Sequence, residues 1–338
     1  MKILITGVAG FIGSHTVKYY AERGNRVIGI DNIDSGTDAR LKYARLKELG
    51  IPKELIQEQK PVQSIEYPNF RFFKADLQNK EFLDDLFGNE HIDVVCHLAA
   101  QTGNSSSMEN PKFYIDSNII GFFNVLEACR IHPVNHLVYA SSACVYGMNK
   151  KSLYKETEVI DSPASLYAAS KKSNELMAHS YSNLYKIPTT GIRFFTVYGP
   201  WGRPDTTPVR FMKSIIDKSP IKLTNQGKPS FDLIYIDDAI SGLTSIVDAP
   251  STTSVPYKIY NVGNGISIRF LKFIASIEDV SGCKAIKEPV EESDSYSSHS
   301  YADITSLERD FNYIPKTTIL EGISKMYDWY VKYSKLID

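Results

Sequence analysis

The stretch Ile3–Gly13, which reads ILITGVAGFIG, decides the fold of this chain. Its first residues are apolar or β-branched and predict a short strand, which runs into a glycine turn and then into the first helix. Gly7 allows the tight turn, Gly10 lets phosphates approach the backbone, and Gly13 lets the helix pack closely on the strand. Because the first N–H groups of a helix carry the positive end of its dipole, the turn predicts a pyrophosphate site.

A second predicted strand, Arg26–Asp31, ends in an acidic residue. A carboxylate at that point can accept hydrogen bonds from the ribose hydroxyls of adenosine, and it repels a 2′-phosphate. Asp31, with Asn32 beside it, therefore indicates NAD rather than NADP as the cofactor. The structural alternative is an ordinary glycine turn followed by a solvated aspartate.

Strand and helix patterns alternate from the N-terminus to about Gly199. The further predicted strands are Phe70–Ala75, Asp93–Leu98, His136–Ser141 and Thr189–Phe194, and the predicted helices are Phe11–Arg23, Asp38–Leu49, Asn79–Phe87, Pro111–Arg130 and Ser165–Tyr185. This alternation, with strands that are apolar on both faces, predicts an α/β fold built on a Rossmann-type doubly wound parallel sheet. The proline-bearing segment Ile51–Asn69 is predicted to be a surface excursion.

Frequent prolines interrupt this alternation beyond Gly199 and predict a smaller C-terminal lobe of mixed α/β structure. We expect residues 1–198 to form the NAD-binding domain, with a return segment at about 232–262. Residues 199–338 are expected to form most of a substrate-binding lobe, interleaved with that domain. Ligands of doubly wound sheets bind at the carboxyl ends of the strands.

Five residues follow predicted strands directly and are candidates for that crevice: Asp76, Leu77, Leu98, Ala99 and Ala100. Residues at these positions line a dinucleotide when the sheet is doubly wound. For each of them taken alone, ordinary packing is the alternative.

A tyrosine and a lysine lie four positions apart on a predicted helix, so Tyr167 and Lys171 share a face. A tyrosine is a poor base at neutral pH, but a nearby ammonium and an oxidised nicotinamide favour its phenolate. Such a phenolate can take a hydroxyl proton while hydride leaves the same carbon. Ser142, at a strand end, can bridge the substrate oxygen and the phenol, with a simple turn serine as the alternative.

Composition excludes several other classes of function. The 338 residues are 43% hydrophobic and 23% charged, with a formal net charge of −1, so no basic field attracts nucleic acid or an anionic membrane. The 4 cysteines are scattered without a CxxC pair, which indicates neither a metal site nor a disulfide framework. No apolar run has the length of a membrane helix, and the N-terminal strand leaves no room for a signal peptide. We expect a cytoplasmic protein.

Together these residues resemble the extended short-chain dehydrogenase/reductase family, and within it the UDP-glucuronate 4-epimerase group of nucleotide-sugar 4-epimerases. The resemblance covers essentially the whole chain. It is carried by His97–Gln101 (HLAAQ), Ser165–Met177 (SLYAASKKSNELM) and the long, unusual stretch Arg193–Asp205 (RFFTVYGPWGRPD). Tyr235–Asp238 and Tyr313–Thr317 fit as well.

The resemblance implies roles for residues at matching positions. Tyr167 would be the base, Lys171 its electrostatic partner and a ligand of the nicotinamide ribose, and Ser142 the hydroxyl partner. The remaining implied contacts are Gly7, Gly10, Phe11, Ile12 and Gly13 to the pyrophosphate, Asp31 to the adenosine ribose, Asp76 and Leu77 to the adenine, and Phe194 and Thr196 to the nicotinamide and the sugar diphosphate.

The resemblance also implies a reaction and an assembly. C4 of a UDP-linked sugar would be oxidised to a ketone, the hexose would turn, and the same hydride would return to the other face, so NAD would stay bound throughout. The helices predicted at Pro111–Arg130 and Ser165–Tyr185 would pair with those of a second chain in a homodimer.

Departures from the group's pattern concentrate around the sugar and the diphosphate. Thr102–Ser107 stands where these enzymes carry an arginine and a tyrosine, and Ala143–Cys144 stands where they carry two hydroxyls. Phe231 occupies the position of an arginine that holds a substrate phosphate. Lys228, Arg210 and Arg269 are the candidates to replace it.

These departures leave the sugar open between UDP-glucuronate and UDP-N-acetylglucosamine or a related amino sugar. Arg203 is the candidate to bind a carboxylate at C5, and a loop-anchoring arginine is the alternative. A dehydratase or decarboxylase of the same lineage needs acidic residues where Ala143–Cys144 stands. A non-catalytic NAD-binding regulator would typically lack the pair Tyr167 and Lys171.

Overall fold

The computed structural model describes residues 1–34, 39–149, 151–224, 227, 229–290 and 299–334. Asp38 and Lys228, which the sequence analysis named, lie outside the described residues. The strands are β1 (Lys2–Thr6), β2 (Arg26–Asp31), β3 (Pro61–Gln63), β4 (Phe70–Lys74), β5 (Val94–His97), β6 (His136–Ser142), β7 (Leu153–Tyr154), β8 (Thr189–Phe194), β9 (Thr196–Tyr198), β10 (Pro220–Thr224), β11 (Ser230–Tyr235), β12 (Tyr257–Val262), β13 (Ser267–Arg269), β14 (Ile286–Val290) and β15 (His299–Ala302). The helices are α1 (Phe11–Glu22), α2 (Ala39–Glu48), α3 (Lys80–Glu90), α4 (Asn104–Glu109), α5 (Pro111–Tyr114), α6 (Gly121–Ile131), α7 (Leu166–Tyr185), α8 (Thr207–Ile216), α9 (Ile236–Val247), α10 (Phe270–Ser281), α11 (Thr305–Phe311) and α12 (Ile319–Tyr333).

The large sheet has the strand order β12-β8-β6-β5-β1-β2-β4-β3 among the described residues. The five strands β6, β5, β1, β2 and β4 run parallel to one another. Since the order reverses on either side of β1, the carboxyl ends of β1, β2 and β5 meet at the switch point where doubly wound sheets bind dinucleotides. The predicted fold class is therefore observed.

Two segments have local structure that the sequence analysis did not predict. The excursion Ile51–Asn69 contains β3, which pairs antiparallel with β4 and extends the sheet, because Val62 is buried opposite Phe72. The predicted helix Pro111–Arg130 is interrupted by a π-helical turn at Ile115–Ile120. That turn places the buried side chain of Asn118 against neighbouring backbone, and hydrogen bonds outweigh regular helix periodicity there.

Apolar side chains from α3, α6 and α7 cover one face of the large sheet. Leu4 and Ile28 on the strands are buried with Leu83, Leu126 and Ala178 on the helices. Burial of each such large aliphatic side chain stabilises the fold by about 1.5–3 kcal/mol. The packing fixes α7, and therefore the residues of its first turns, against the sheet.

The described chain divides into two compact units. One comprises residues 1–147, 160–193 and 243–260, and the other comprises 148–159, 194–242 and 261–338. The first contains the glycine turn and most of the large sheet. The second contains a mixed sheet of order β13-β11-β15-β7 with β9 beside β11, and the parallel pair β10-β14.

Two kinds of feature are absent from the described residues. No helix there combines the length and the apolar character that a bilayer crossing requires. Within the same residues, no group of three His, Cys, Asp or Glu side chains is arranged to hold a metal ion.

Candidate functional site

The glycine turn brings backbone against backbone at the end of β1. Gly7 has a φ of 76°, and a Cβ on it would lie 2.8 Å from the amide nitrogen of Ala99. The Gly10 N–H donates to the Gly7 carbonyl at 2.9 Å, and a Cβ on Gly13 would collide with that same carbonyl. Only glycines fit this turn, so α1 begins close to β1 and directs its first N–H groups, from Phe11 and Ile12 onward, out of its N-terminus.

Asp31 closes the turn from the end of β2. Its buried carboxylate accepts the Ala9 N–H at 3.1 Å and the Ile33 N–H at 2.8 Å, and Lys42 Nζ lies 3.4 Å away. Arg45 donates to the Ala9 carbonyl at 3.0 Å. The carboxylate is thus held beside the turn. Lys42 offsets its negative charge, and the sequence analysis did not predict this lysine.

The next strand ends contribute residues that the sequence analysis proposed separately. Asn32 Nδ2 donates to Asp76 Oδ2 at 2.9 Å, which joins the ends of β2 and β4. Leu77 is buried, and its carbonyl accepts from Asn124 at 2.9 Å. The structure therefore gathers Asn32, Asp76 and Leu77 around one edge of the predicted adenosine site.

Leu98, Ala99 and Ala100 follow β5 directly behind the glycine turn. The Leu98 N–H donates to the Thr6 carbonyl at 3.2 Å, and the Ala99 N–H donates to Thr6 Oγ1 at 3.2 Å. His97 Nδ1 lies 2.9 Å from the same hydroxyl. Burial lowers the pKa of His97 to about 3, so this histidine is neutral and anchors the strand end.

Ser142 and Tyr167 lie at the ends of the elements that carry them. Ser142 is the last residue of β6, and its Oγ accepts the Cys144 N–H at 3.2 Å. Tyr167 is in the first turn of α7, which begins where Ser165 Oγ accepts the Ala168 N–H at 3.1 Å. The Tyr167 ring is buried, with the Tyr114 ring edge-on at 6.3 Å between centroids.

Lys171 lies one helical turn after Tyr167, and its side chain crosses to β6. Its Nζ donates to the Ala140 carbonyl at 2.8 Å. Burial lowers the pKa of Lys171 from 10.5 to about 7. The ammonium that the sequence analysis assigned to this residue is therefore fully charged only below neutral pH in the free protein.

This low pKa predicts how Lys171→Met changes stability. Between about pH 7 and 10.5, Lys171 binds a proton in the unfolded chain but not in the folded chain. Lys171 therefore destabilises the folded protein, and this destabilisation increases as pH falls from 10.5 to 7. We expect Lys171→Met to raise Tm at pH 7, by about 2 °C or more, and to raise it less at pH 10. Thermal unfolding at both pH values measures this. Lys18→Met, on an exposed part of α1, is the control; an equal rise at both pH values for Lys171→Met would contradict the account.

Asn118 is a site residue that the sequence analysis missed. Its Nδ2 donates to Ser170 Oγ and to the Gln101 carbonyl, both at 3.0 Å, and its Oδ1 accepts the Gln101 N–H at 2.7 Å. Ser170 Oγ in turn donates to the Tyr167 carbonyl at 2.8 Å. Asn118 therefore ties the loop after β5 to the helix turn that bears Tyr167. The sequence signal that would have identified it is a polar asparagine within an apolar helical run.

The second compact unit holds the residues that the sequence analysis placed near the nicotinamide and the substrate. Phe194 ends β8 and is buried, while Thr196 begins β9 and is half-buried. Arg203 lies in the loop before α8, where its Nε and Nη2 bind the Asp205 carboxylate at 3.0 and 2.5 Å. This two-point contact is the one expected if Arg203 anchors its own loop, which is the alternative to a role in binding a substrate carboxylate.

Phe231, at the position where the resemblance places a phosphate-binding arginine, belongs to an aromatic cluster. The Phe231 ring centroid lies 3.8 Å from that of Phe270, which also contacts Phe211 at 5.7 Å. Arg210 and Arg269 directly precede two of these rings and are both exposed. The backbone therefore brings both candidate arginines to the borders of one cluster.

The residues of the first unit fit a bound dinucleotide. The glycine turn leaves a cradle that side chains would fill, α1 directs its N–H groups from its start, and Asp31 is fixed at the end of the neighbouring strand. Gly7, Gly10, Phe11, Ile12 and Gly13 would hold its pyrophosphate.

Comparison with known proteins agrees with this geometry. The sequence profile described as "NAD dependent epimerase/dehydratase family" matches residues 3–263. Protein CapI of Staphylococcus aureus is 43% identical over 99% of this chain and 100% of its own length. The probable UDP-glucuronate 4-epimerase of Rhizobium meliloti is 35% identical over 98% of this chain and 97% of its own.

A solved structure extends the similarity to three dimensions. The crystal structure of UDP-glucuronic acid 4-epimerase from Bacillus cereus, in complex with UDP-glucuronic acid and NAD, matches with a TM-score of 0.86 and 30% identity. The match covers 98% of this chain and 99% of that one. The predicted fold class and family resemblance are confirmed.

Proposed function

This chain belongs to the NAD dependent epimerase/dehydratase family, and from that premise we propose that it inverts C4 of a UDP-linked sugar, with UDP-glucuronate as the substrate. One observation carries the proposal. Tyr167 and Lys171 occupy successive turns of one face of α7, and Lys171 is bound to Ala140, two residues before Ser142. The three chemical groups that hydride removal from a secondary alcohol needs are thus on adjoining elements of one compact unit.

The chain's own residues would manage the proton. NAD, when bound, supplies the acceptor from which hydride later returns. Tyr167, as phenolate, takes the proton of the C4 hydroxyl. After the sugar turns, it returns that proton to the same oxygen as hydride is added to the opposite face of C4. Ser142 donates a hydrogen bond to the substrate oxygen, since its own oxygen already accepts the Cys144 N–H. Lys171 stabilises the phenolate by its charge.

Inversion is favoured over elimination or decarboxylation by the residues after Ser142. Ala143 has no group that exchanges a proton, and Cys144 has a thiol 3.9 Å from the side-chain nitrogen of Asn104. A dehydratase needs an acid and a base there to remove water across C5 and C6. A non-catalytic regulator is disfavoured because Tyr167 and Lys171 are both present and both buried.

An amino sugar, UDP-N-acetylglucosamine, is the second candidate substrate, favoured by one observation. Arg203, which would bind a uronate carboxylate, is already engaged by Asp205. A panel assay distinguishes the two candidate substrates. Purified protein is incubated with UDP-glucuronate, UDP-glucose and UDP-N-acetylglucosamine, and the products are followed by ¹H NMR. We expect the 4-epimer of UDP-glucuronate to form fastest. Cofactor binding without any epimer would leave only the regulator.

The carboxylate role of Arg203 gives a prediction of its own. Arg203→Met should lower kcat/KM for UDP-glucuronate by about tenfold or more, and change that for a neutral UDP-sugar by much less, because a charge-assisted hydrogen bond contributes about 1.5–3 kcal/mol. Initial rates on both substrates measure this. Asp205→Asn is the matched control, since it frees the guanidinium without removing it. Equal losses on both substrates would remove Arg203 as the carboxylate ligand.

We further propose that the chain forms a homodimer through the helices around α6 and α7. Apolar side chains are exposed along this surface, including Phe123 at 41%, Leu176 at 59% and Leu184 at 68%. Exposed apolar side chains gathered on adjoining helices mark interaction surfaces. A second copy would bury the same residues on both sides, as two-fold symmetry requires.

This surface is tested by a double charge substitution. Leu176→Lys with Leu184→Lys is expected to convert a dimer to a monomer, because each copy would bury two ammonium groups in the interface. Light scattering after gel filtration measures the mass. Ile65→Lys is the control, at an isoleucine elsewhere in the same unit that is 78% exposed, and it should leave the mass unchanged. A monomeric wild-type protein would refute the proposal.

A cytoplasmic location completes the proposal. Cys96 and Cys129 are free and buried, and burial raises the pKa of both thiols, which keeps them protonated and unreactive. Such thiols suit a reducing compartment. Fractionation of cells that produce the protein tests this location.

A further inference from the structure

The segment that carries Ser142 is held on both of its sides. This segment, the serine turn (residues 140–146), is the end of β6 followed by the 3₁₀ turn Ala143–Tyr146. Before Ser142, Lys171 binds the Ala140 carbonyl at 2.8 Å, and Ser141 Oγ donates to Glu175 Oε1 at 2.7 Å. After it, the Tyr146 hydroxyl accepts from Arg193 Nη1 at 3.0 Å.

Glu175 and Arg193 connect these two sides. Arg193 on β8 donates from Nε to Oε1 of Glu175 at 2.8 Å and from Nη2 to Oε2 at 2.9 Å. Both side chains are only 2% exposed. Glu175 lies one helical turn after Lys171 on α7, so one buried two-point ion pair links the helix of Tyr167 to both flanks of Ser142.

The buried ion pair of Glu175 and Arg193 is not explained by a gain in stability alone. Removing two charges from water is costly, and well-packed apolar residues in their place are often as stable or more so. A planar two-point contact does, however, fix distance and angle between the elements that it joins. Tyr257 adds to this by donating to the Glu175 carbonyl at 3.1 Å.

We propose that Glu175 and Arg193 are positioning residues that set the place of the Ser142 hydroxyl relative to Tyr167, through Ser141 on one side and Tyr146 on the other. The proposal rests on the proposed function, because it assigns a step in the same proton transfer. The reacting hydroxyl, the phenol and the serine must lie within hydrogen-bond reach together, and a displacement of about 1 Å can cost 10²-fold in rate.

The test leaves the ion pair intact and cuts only its two links. Substitution of Glu175 or Arg193 would break a buried ion pair, which strongly destabilises the fold and would obscure any effect on Ser142. Ser141→Ala and Tyr146→Phe remove one hydroxyl each. We expect each to lower kcat by about tenfold while KM changes by less than about twofold, since a misplaced Ser142 slows the chemical step rather than binding.

A double-mutant cycle with Ser142→Ala separates positioning from general damage. If the links act through Ser142, Ser141→Ala and Tyr146→Phe should cause no further loss of kcat in the Ser142→Ala background. Tyr20→Phe is the matched control, because it removes an equally buried hydroxyl, bound to Asp248 at 3.1 Å, and should leave kcat unchanged in both backgrounds. Unchanged kcat in the single variants, or equal losses in both backgrounds, would overturn the proposal.

A measurement without substrate keeps this proposal distinct from the proposed function. Amide hydrogen exchange in peptides covering residues 140–147 should be faster in Ser141→Ala and Tyr146→Phe than in wild type, with other peptides unchanged. If the wild-type protein converts no UDP-sugar, the proposed function fails. Faster exchange confined to that segment would then still support the coupling, and unchanged exchange would refute it.

Discussion

Replacing Tyr167 with phenylalanine is expected to lower kcat by about 10²–10⁴-fold, while the fold and the bound NAD are kept. Phenylalanine preserves the buried ring, its edge-on contact with Tyr114 and the first turn of α7. It removes only the oxygen that would exchange a proton with the substrate hydroxyl. The loss should therefore appear in kcat, with little change in KM.

Steady-state rates on UDP-glucuronate, together with the absorbance of released cofactor, measure this outcome. Tyr181→Phe is the control on the same helix, because it removes a phenol oxygen that binds Glu127 at 2.7 Å. That variant should keep wild-type turnover. Full activity in Tyr167→Phe would refute the assignment of the base.

Lys171→Met is expected to lower kcat by about 10²-fold and to move the acid limb of its pH profile to higher pH. Without the neighbouring ammonium, the charged phenolate of Tyr167 is less favoured, so less phenolate is present at neutral pH. Cofactor retention should also weaken, because the resemblance makes Lys171 a ligand of the nicotinamide ribose.

The low pKa of Lys171 also predicts how the rate difference between wild type and Lys171→Met depends on pH. Its charge is complete below about pH 7 and is lost as pH rises through that value, so the benefit to the wild-type enzyme is greatest on the acid side. The rate difference between wild type and Lys171→Met should therefore narrow as pH rises. Lys186→Met, at the far end of α7, is the control. An unchanged pH profile in Lys171→Met would count against the electrostatic role.

The sequence predicted those parts of the fold and site that depend on the spacing of residues within one segment of the chain. The turn between β1 and α1 needs glycines at fixed spacing, since a Cβ at Gly7 or Gly13 meets backbone. Tyr167 and Lys171 share a face because helix periodicity demands it. Apolar strands alternating with helices leave few arrangements other than a doubly wound sheet.

The parts that the sequence analysis missed depend on residues distant along the chain. Lys42 reaches Asp31 only when α2 folds back toward β2, and Arg193 reaches Glu175 only when β8 is placed beside α7. The π-helical turn around Asn118 likewise exists because Gln101, from another strand end, offers both a donor and an acceptor. Periodicity within one segment contains none of this information.

The pair Arg203 and Asp205 shows a different limit. The two residues are neighbours, so their contact was within reach of sequence reasoning, yet an arginine fork serves a substrate carboxylate and a loop carboxylate equally well. The cluster of Phe231 with Phe270 is similar, because an aromatic residue in place of an arginine indicates what is absent and not what replaces it. Substrate choice therefore depends on the panel assay and on Arg203→Met.

In the proposed reaction, one hydride leaves C4 and returns to the same carbon. The most direct test incubates the wild-type protein with UDP-glucuronate carrying deuterium at C4, in ordinary water, and examines the product by NMR. We predict UDP-galacturonate that retains the deuterium at C4. A 4-epimer in which solvent hydrogen has replaced the deuterium, or the absence of any 4-epimer, would contradict the account.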